Sequence, residues 1–122
     1  MTGLETALSV VQEAMVDTGR MTWADVARVL SSAPAAIGRV VDHGRPITVG
    51  EPANLTLVDP AARWVVVPHE QATASDNSPF AGREMHGRVV ATFLRGRATV
   101  LGGLAQDDPD GSHRAAGRTE TH

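Results

Sequence analysis

The sequence predicts an α+β chain, with helices first and short strands after them. Three observations carry this. Apolar residues recur at helical spacing as far as Ile37. Short apolar, β-branched runs broken by turn residues follow between Asn54 and Leu101, and beyond Gly102 apolar residues nearly vanish. The chain accordingly divides into residues 1–40, 41–101 and a tail at 102–122.

The first helix is expected from Leu4 to Thr18. Leu4, Ala7, Leu8, Val11, Ala14 and Met15 share one face, Thr2 with Glu5 fits a capping box, and Gly19 supplies a left-handed stop. A second helix begins at Thr22, with Asp25 three residues on and Trp23, Val26, Ala27 and Leu30 as its apolar stripe. Ser31 and Ser32 precede Ala33–Pro34, which suits the first turn of a short third helix through Ile37, ended by Gly38. Gly44, Pro46, Gly50 and Pro52 then mark turns. Strands are expected at Asn54–Asp59, closed by Asp59–Pro60, at Trp64–Val67, at Arg88–Leu94 and at Ala98–Leu101. The last two are joined through Arg95-Gly96-Arg97. Pro68 to Gly82 reads as a loop, and the tail as disordered, because it cannot bury enough surface to offset its ordering entropy.

Composition excludes several functions. The net charge is −3 over 122 residues, which argues against a nucleic-acid surface. Apolar stretches such as Val65–Val67 and Val89–Ala91 are far too short to cross a membrane. No basic segment followed by an apolar one opens the chain, so a cytoplasmic location is expected. Without Cys there is no disulfide or thiolate metal site. All 11 positive residues are Arg, so Schiff-base chemistry, P-loop phosphate binding and a carboxylated-Lys metal bridge have no residue to use.

No catalytic, cofactor-binding or metal-ligating residue is assigned. His43, His69, His86, His113 and His122 form no HxH or HxxxH pair, so no single element presents two imidazoles to one ion. Ser31, Ser32 and Ser78 lack a nucleophile elbow, Asp107–Asp108 lie in the tail, and Gly102–Gly103 precede no helix. Trp23 and Trp64 are expected to serve a core or an interface. The segment Ser75-Asp76-Asn77-Ser78-Pro79-Phe80-Ala81-Gly82 reads as an ordered loop pinned by Phe80, with contact to an active site as the competing reading.

Four stretches together resemble the C-terminal end of dihydroorotases, of the amidohydrolase superfamily. Gly3-Leu4-Glu5-Thr6-Ala7-Leu8 is similar to the opening of the family's last barrel helix, and Ser32-Ala33-Pro34-Ala35 to its "NPA" helix start. Pro52-Ala53-Asn54-Leu55-Thr56-Leu57-Val58-Asp59-Pro60 is similar to its return strand "ADLTLFDP". Ser75 to Gly82, followed by Met85-His86-Gly87 and Gly96, resembles "S-x-N-[ST]-P-F-x-G…L-x-G…T-x-x-x-G", and the match covers residues 3 to about 101.

The resemblance implies a fold: residues 1–40 as outer helices of an incomplete (β/α)8 barrel, and 41–101 as strands of the small β-sandwich. It implies the reversible closing of N-carbamoyl-aspartate to dihydroorotate in pyrimidine synthesis, with zinc supplying hydroxide. The family's ligands are an HxH, a carboxylated Lys, two further His and an Asp, all preceding the segment that matches Gly3. No metal or catalytic role therefore transfers to any position, and this looks like a truncated copy, inactive alone. Whether the chain is itself an enzyme stays open. Its uncovered faces imply a partner: the missing barrel portion, a second copy, or aspartate carbamoyltransferase. The alternative readings are a non-catalytic dihydroorotase-like interaction module and a piece of an allantoinase or another cyclic-amide hydrolase.

Overall fold

A computed structural model describes residues 2–107. Of the tail expected to be disordered from 102, residues 108–122, with His113 and His122, lie outside the described residues, while Leu104–Ala105 form a strand, because Leu104 and Ala105 pair with Leu101 and Val100.

Two helical arms precede an antiparallel four-stranded sheet. In the first arm, α1 (Ala7–Val11) widens into a π turn at Gln12–Val16, where the Asp17 amide donates to the Gln12 carbonyl at 2.9 Å. The helix starts later than Leu4, and the Thr2–Glu5 capping box does not form. The Thr2 amide donates to the Asn77 carbonyl at 2.9 Å, and Glu5 Oε1 accepts from the Ala72 amide at 2.8 Å. Both residues thus bind a distant loop rather than the first turn. Gly19 stops the arm as expected, at φ +73°.

The second arm begins at Thr22 with a capping box. The Asp25 amide donates to Thr22 Oγ1 at 3.2 Å, and the Thr22 amide donates to Asp25 Oδ2 at 3.0 Å. The first of the bonds holding the Asp25 carboxyl below its usual range is the one from the Thr22 backbone, followed by the one from its hydroxyl. α2 (Trp23–Ala27) then continues through a π turn at Arg28–Ser32 into α3 (Ala33–Ile37) without a break. The separate third helix is therefore corrected to a continuation. Pro34 has no amide proton to give to the carbonyl four residues back, and the wider turn before it shifts the bonding by one residue. The left-handed residue after α3 is Arg39, at φ +54°, rather than Gly38.

The sheet runs β1 (Leu55–Val65), β2 (Glu84–Leu94), β3 (Arg97–Leu101) and β4 (Leu104–Ala105), in that spatial order. Asp59–Pro60 does not close the first strand. The two runs expected there are one strand, irregular between the pairs Asp59–Arg88 and Arg63–His86. Pro is tolerated because β1 is an edge strand, and the irregular backbone is satisfied by side chains. Asp59 Oδ1 accepts from the Ala61 amide at 2.9 Å, and Gln12 Nε2 donates to the Pro60 carbonyl at 2.8 Å. β2 starts at Glu84, ahead of the expected Arg88, and passes through Gly87. The turn expected at Arg95-Gly96-Arg97 is made by Arg95 and Gly96 alone, both at positive φ, and Arg97 already belongs to β3. Beyond Gly102 the chain turns back, and Leu104 pairs with Leu101.

Helix and sheet meet through a polar face. Thr6, Ser9 and Gln12 are buried, together with Val26, Val66, Met85 and Ala91. The apolar stripe, expected to be left uncovered within this chain, is so only in part: Leu4 is 96% exposed and Ala7 and Ala14 are exposed, whereas Leu8, Val11 and Met15 are half-buried. Ser9 Oγ donates to the Gly87 carbonyl at 2.6 Å, and Trp64 Nε1 donates to the same oxygen at 3.0 Å.

Gly87 sits at φ +76°, and a Cβ built there would overlap Gln12 Oε1 and stand 2.8 Å from its Cδ. We expect Gly87→Ala to destabilise the fold by about 2–4 kcal/mol, from a left-handed torsion and an overpacked junction together. Urea denaturation would measure it. Gly87→Ala with Gln12→Ala should recover the clash portion but not the torsional portion, whereas no recovery would mean the junction is misdescribed.

Candidate functional site

Two places deserve comparison as sites, the loop at 75–82 and the concavity where the second arm joins the sheet.

The loop is closed by its own hydroxyls. The Asn77 amide donates to Ser75 Oγ and the Phe80 amide to Ser78 Oγ, both at 3.3 Å. It is tied down on two sides. The Gly82 amide donates to the Val66 carbonyl at 2.8 Å and the Val66 amide to the Arg83 carbonyl at 3.0 Å, while the Asn77 carbonyl receives the Thr2 amide. Arg83 stands 5.9 Å from the centre of the half-buried Phe80 ring and donates from Nη2 to Glu13 Oε2 at 2.6 Å. Glu13 Oε1 in turn accepts from the His86 amide at 3.1 Å. These bonds hold the N-terminal segment, the first arm and β2 together, in keeping with the structural reading of this loop.

The concavity encloses about 120 Å³ between Asp42 and Leu55. Arg45 grips Glu51 with two donors: Nη2 donates to Oε1 at 2.6 Å, and Nε donates to Oε2. Asn54 joins arm to sheet, donating from Nδ2 to the Asp42 carbonyl at 2.9 Å and accepting from the Arg95 amide at 2.8 Å. Arg95 Nη2 lies 3.5 Å from Asp42 Oδ2. Each charge here is balanced by a neighbour, so the concavity offers no uncompensated charge to a substrate. The hydrogen bond from Arg45, aided by its charge, holds the Glu51 carboxyl below the usual range, and the same bond raises Arg45.

The histidines do not converge. His43 is exposed in the turn before Arg45, and His69 is exposed on the short 3-10 turn Pro68–Glu70. His86 is half-buried on β2, with Nδ1 3.8 Å from Asp17 Oδ2. Among the described residues no three of His, Cys, Asp and Glu are grouped so as to hold a metal ion. Trp64 is half-buried, and the Arg88 guanidinium stands 5.5 Å from its ring centre. Two features escaped the sequence reading, the buried face Thr6–Ser9–Gln12 and the Arg45–Glu51 grip. The first had a signal, a 3-residue polar spacing, that is indistinguishable from a solvated helix face.

No protein-family model matches the chain. The dihydroorotase of Streptomyces coelicolor is 59% identical over 103 residues, which are 84% of this chain and 24% of that protein. The dihydroorotase of Leifsonia xyli is 53% identical over 112 residues, 92% of this chain and 26% of that one. The chain belongs to the dihydroorotase family. It corresponds to the C-terminal portion and spans about a quarter of the length of these curated relatives. Among solved structures, a D-hydantoinase from Thermus sp. superposes with a TM-score of 0.76 at 25% identity, over 88% of this chain and 24% of that one. An L-hydantoinase from Arthrobacter aurescens gives 0.76 at 27% identity, over 87% and 24%. The zinc ion implied by the dihydroorotase resemblance does not fit the described residues, for want of any grouped ligands.

The lowered Glu51 carboxyl sets a pH dependence. Its folded value lies below its unfolded one, so the grip stabilises fully above the ordinary glutamate range, about pH 4.3, and is lost as pH falls through the folded value. NMR titration of the Glu51 carboxyl should give a midpoint below that of free glutamate, and Arg45→Met should return it to the ordinary range. Equal midpoints in the two proteins would contradict the grip.

Proposed function

We propose that this chain is a scaffolding part of a dihydroorotase and performs no chemistry alone. The two arms are outer-layer helices of a (β/α)8 barrel, and the sheet belongs to the small β-sandwich beside it. The reaction served is the family's reversible closing of N-carbamoyl-aspartate to dihydroorotate, in a cytoplasmic setting. One observation carries this reading: 59% identity to a dihydroorotase over a segment whose described residues gather no metal-ligand set.

The chemistry explains why such a part is inert. Opening or closing a cyclic amide at neutral pH needs an activated water and stabilisation of the developing oxyanion, which a zinc ion supplies in this family. Among the described residues several carboxylates are already engaged singly: Glu13 with Arg83 and the His86 amide, Glu51 with Arg45, and Asp25 with Thr22. Dihydroorotase is favoured over the hydantoinase side of the superfamily by the contrast between 50–59% identity to five curated dihydroorotases and 23–29% to hydantoinase and dihydropyrimidinase structures. The partner in this reading is the remainder of a dihydroorotase, presented to the exposed stripe of the first arm.

The purified chain should bind no stoichiometric zinc by elemental analysis, and it should not hydrolyse dihydroorotate above background with or without added zinc. Turnover by the chain alone that a chelator abolishes would refute the proposal.

A further inference from the structure

The short stretch ahead of α1, residues 2–6, is tied to a loop far along the chain. The Ala72 amide donates to Glu5 Oε1 at 2.8 Å. The Asn77 carbonyl accepts twice from Thr2, from its amide at 2.9 Å and from Oγ1 at 3.3 Å. Thr6, which is buried, closes the stretch from the helix side by donating from Oγ1 to the Gly3 carbonyl at 3.1 Å. Gly3, Leu4 and Glu5 are exposed, as are Ala72 and Asn77, so the long-range bonds cover no core. What they do is fix where the stretch lies.

That place has a meaning if α1 is an outer helix of a (β/α)8 barrel. The residues leading into such a helix form a βα loop, and the βα loops build the rim at which these barrels do their chemistry. We propose that Glu5 is a positioning residue for the dihydroorotase reaction: through the Ala72 amide it fastens this βα loop to the 72–77 loop and so sets its place on the catalytic rim. The inference rests on the dihydroorotase reading and deepens it. The Glu5 carboxylate accepts one backbone hydrogen bond and transfers no proton, so an uncharged acceptor of the same shape serves equally. The 75–82 motif then bears on catalysis indirectly, through the segment that Asn77 and its neighbours hold.

Two measurements test this. Amide exchange on the full chain reads the bond. The Ala72 amide should be protected, Glu5→Ala should speed its exchange about tenfold, and Glu5→Gln, which keeps an acceptor, should not. An Ala72 amide that exchanges as in the unfolded chain would overturn the inference. Turnover reads the consequence, with this chain joined to the portion that precedes the matched segment in the 59% identical dihydroorotase. Glu5→Ala should lower kcat about tenfold with KM little changed, as a loss of alignment does. Glu5→Gln should retain most of the rate, and both variants should keep the midpoints of the pH profile. Asp25→Ala, which removes the capping box of the second arm, should cost stability and leave kcat unchanged. If the joined protein with the native segment is inactive, the dihydroorotase reading fails and the inference falls with it. If it is active and Glu5→Ala matches it, the reading stands and the inference fails. The inference fails equally if Glu5→Gln or Asp25→Ala is as damaging as Glu5→Ala.

Discussion

The junction of the first arm with the sheet depends on the absence of a side chain at Gly87. There the arm comes close enough for the Ser9 hydroxyl to reach the strand backbone at 2.6 Å. Burying Thr6, Ser9 and Gln12 costs free energy unless their polar atoms find partners. Most of them do. Thr6 Oγ1 donates to the Gly3 carbonyl at 3.1 Å, Ser9 to Gly87, and Gln12 Nε2 to Pro60. Gln12 Oε1 is the exception, buried without a hydrogen-bond partner. It lies where a Cβ of residue 87 would intrude, so the close approach depends on the glycine. Gln12 thus gives up one bond in order to hold the β1 irregularity with its other end.

The helix consequently buries the opposite face from the one its hydrophobic pattern advertises. Helical spacing identified Leu4, Ala7, Leu8, Val11, Ala14 and Met15 as sharing a face, and that grouping is sound. Pattern alone does not say which surface the face meets. The polar side satisfies itself against the sheet within this chain, while on the apolar side Leu4, Ala7 and Ala14 are exposed and Leu8, Val11 and Met15 are half-buried. A segment of a larger enzyme can be built this way, because its inner contacts are hydrogen bonds between near neighbours in space and its outer contacts are apolar area offered elsewhere.

The readable parts of the fold were those decided by local chemistry. Thr22 with Asp25, Gly19, and the Arg95–Gly96 turn each act through one or two torsions and a bond to a neighbour, and each appears where the residues placed it. The misread parts were decided at a distance. Thr2 and Glu5 have capping-box chemistry, but the 72–77 loop competes for the same atoms. Asp59–Pro60 has the chemistry of a strand end, but Gln12, 48 residues away, stabilises an irregular continuation. Pro34 opens helices elsewhere, and here a wide turn absorbs it. The Arg45–Glu51 grip left no trace beyond two opposite charges six residues apart, a spacing with no meaning until the turn between them exists.

The family motif was legible for a related reason. Ser75 to Gly82 contains one acid, the exposed Asp76, and belongs to no group of metal ligands among the described residues. Its residues are those needed to close a loop on its own hydroxyls and to tie three distant stretches together. Ser75 and Ser78 cap backbone amides, Asn77 takes the N-terminal segment, and Gly82 meets Val66. A motif of this kind identifies a fold through the geometry it enforces, not through a reaction. Catalysis in this family needs an ion, and the described residues gather no ligands for one. The same stretch can therefore mark the family through its architecture, by fixing the first arm to β2 through Arg83 and Glu13.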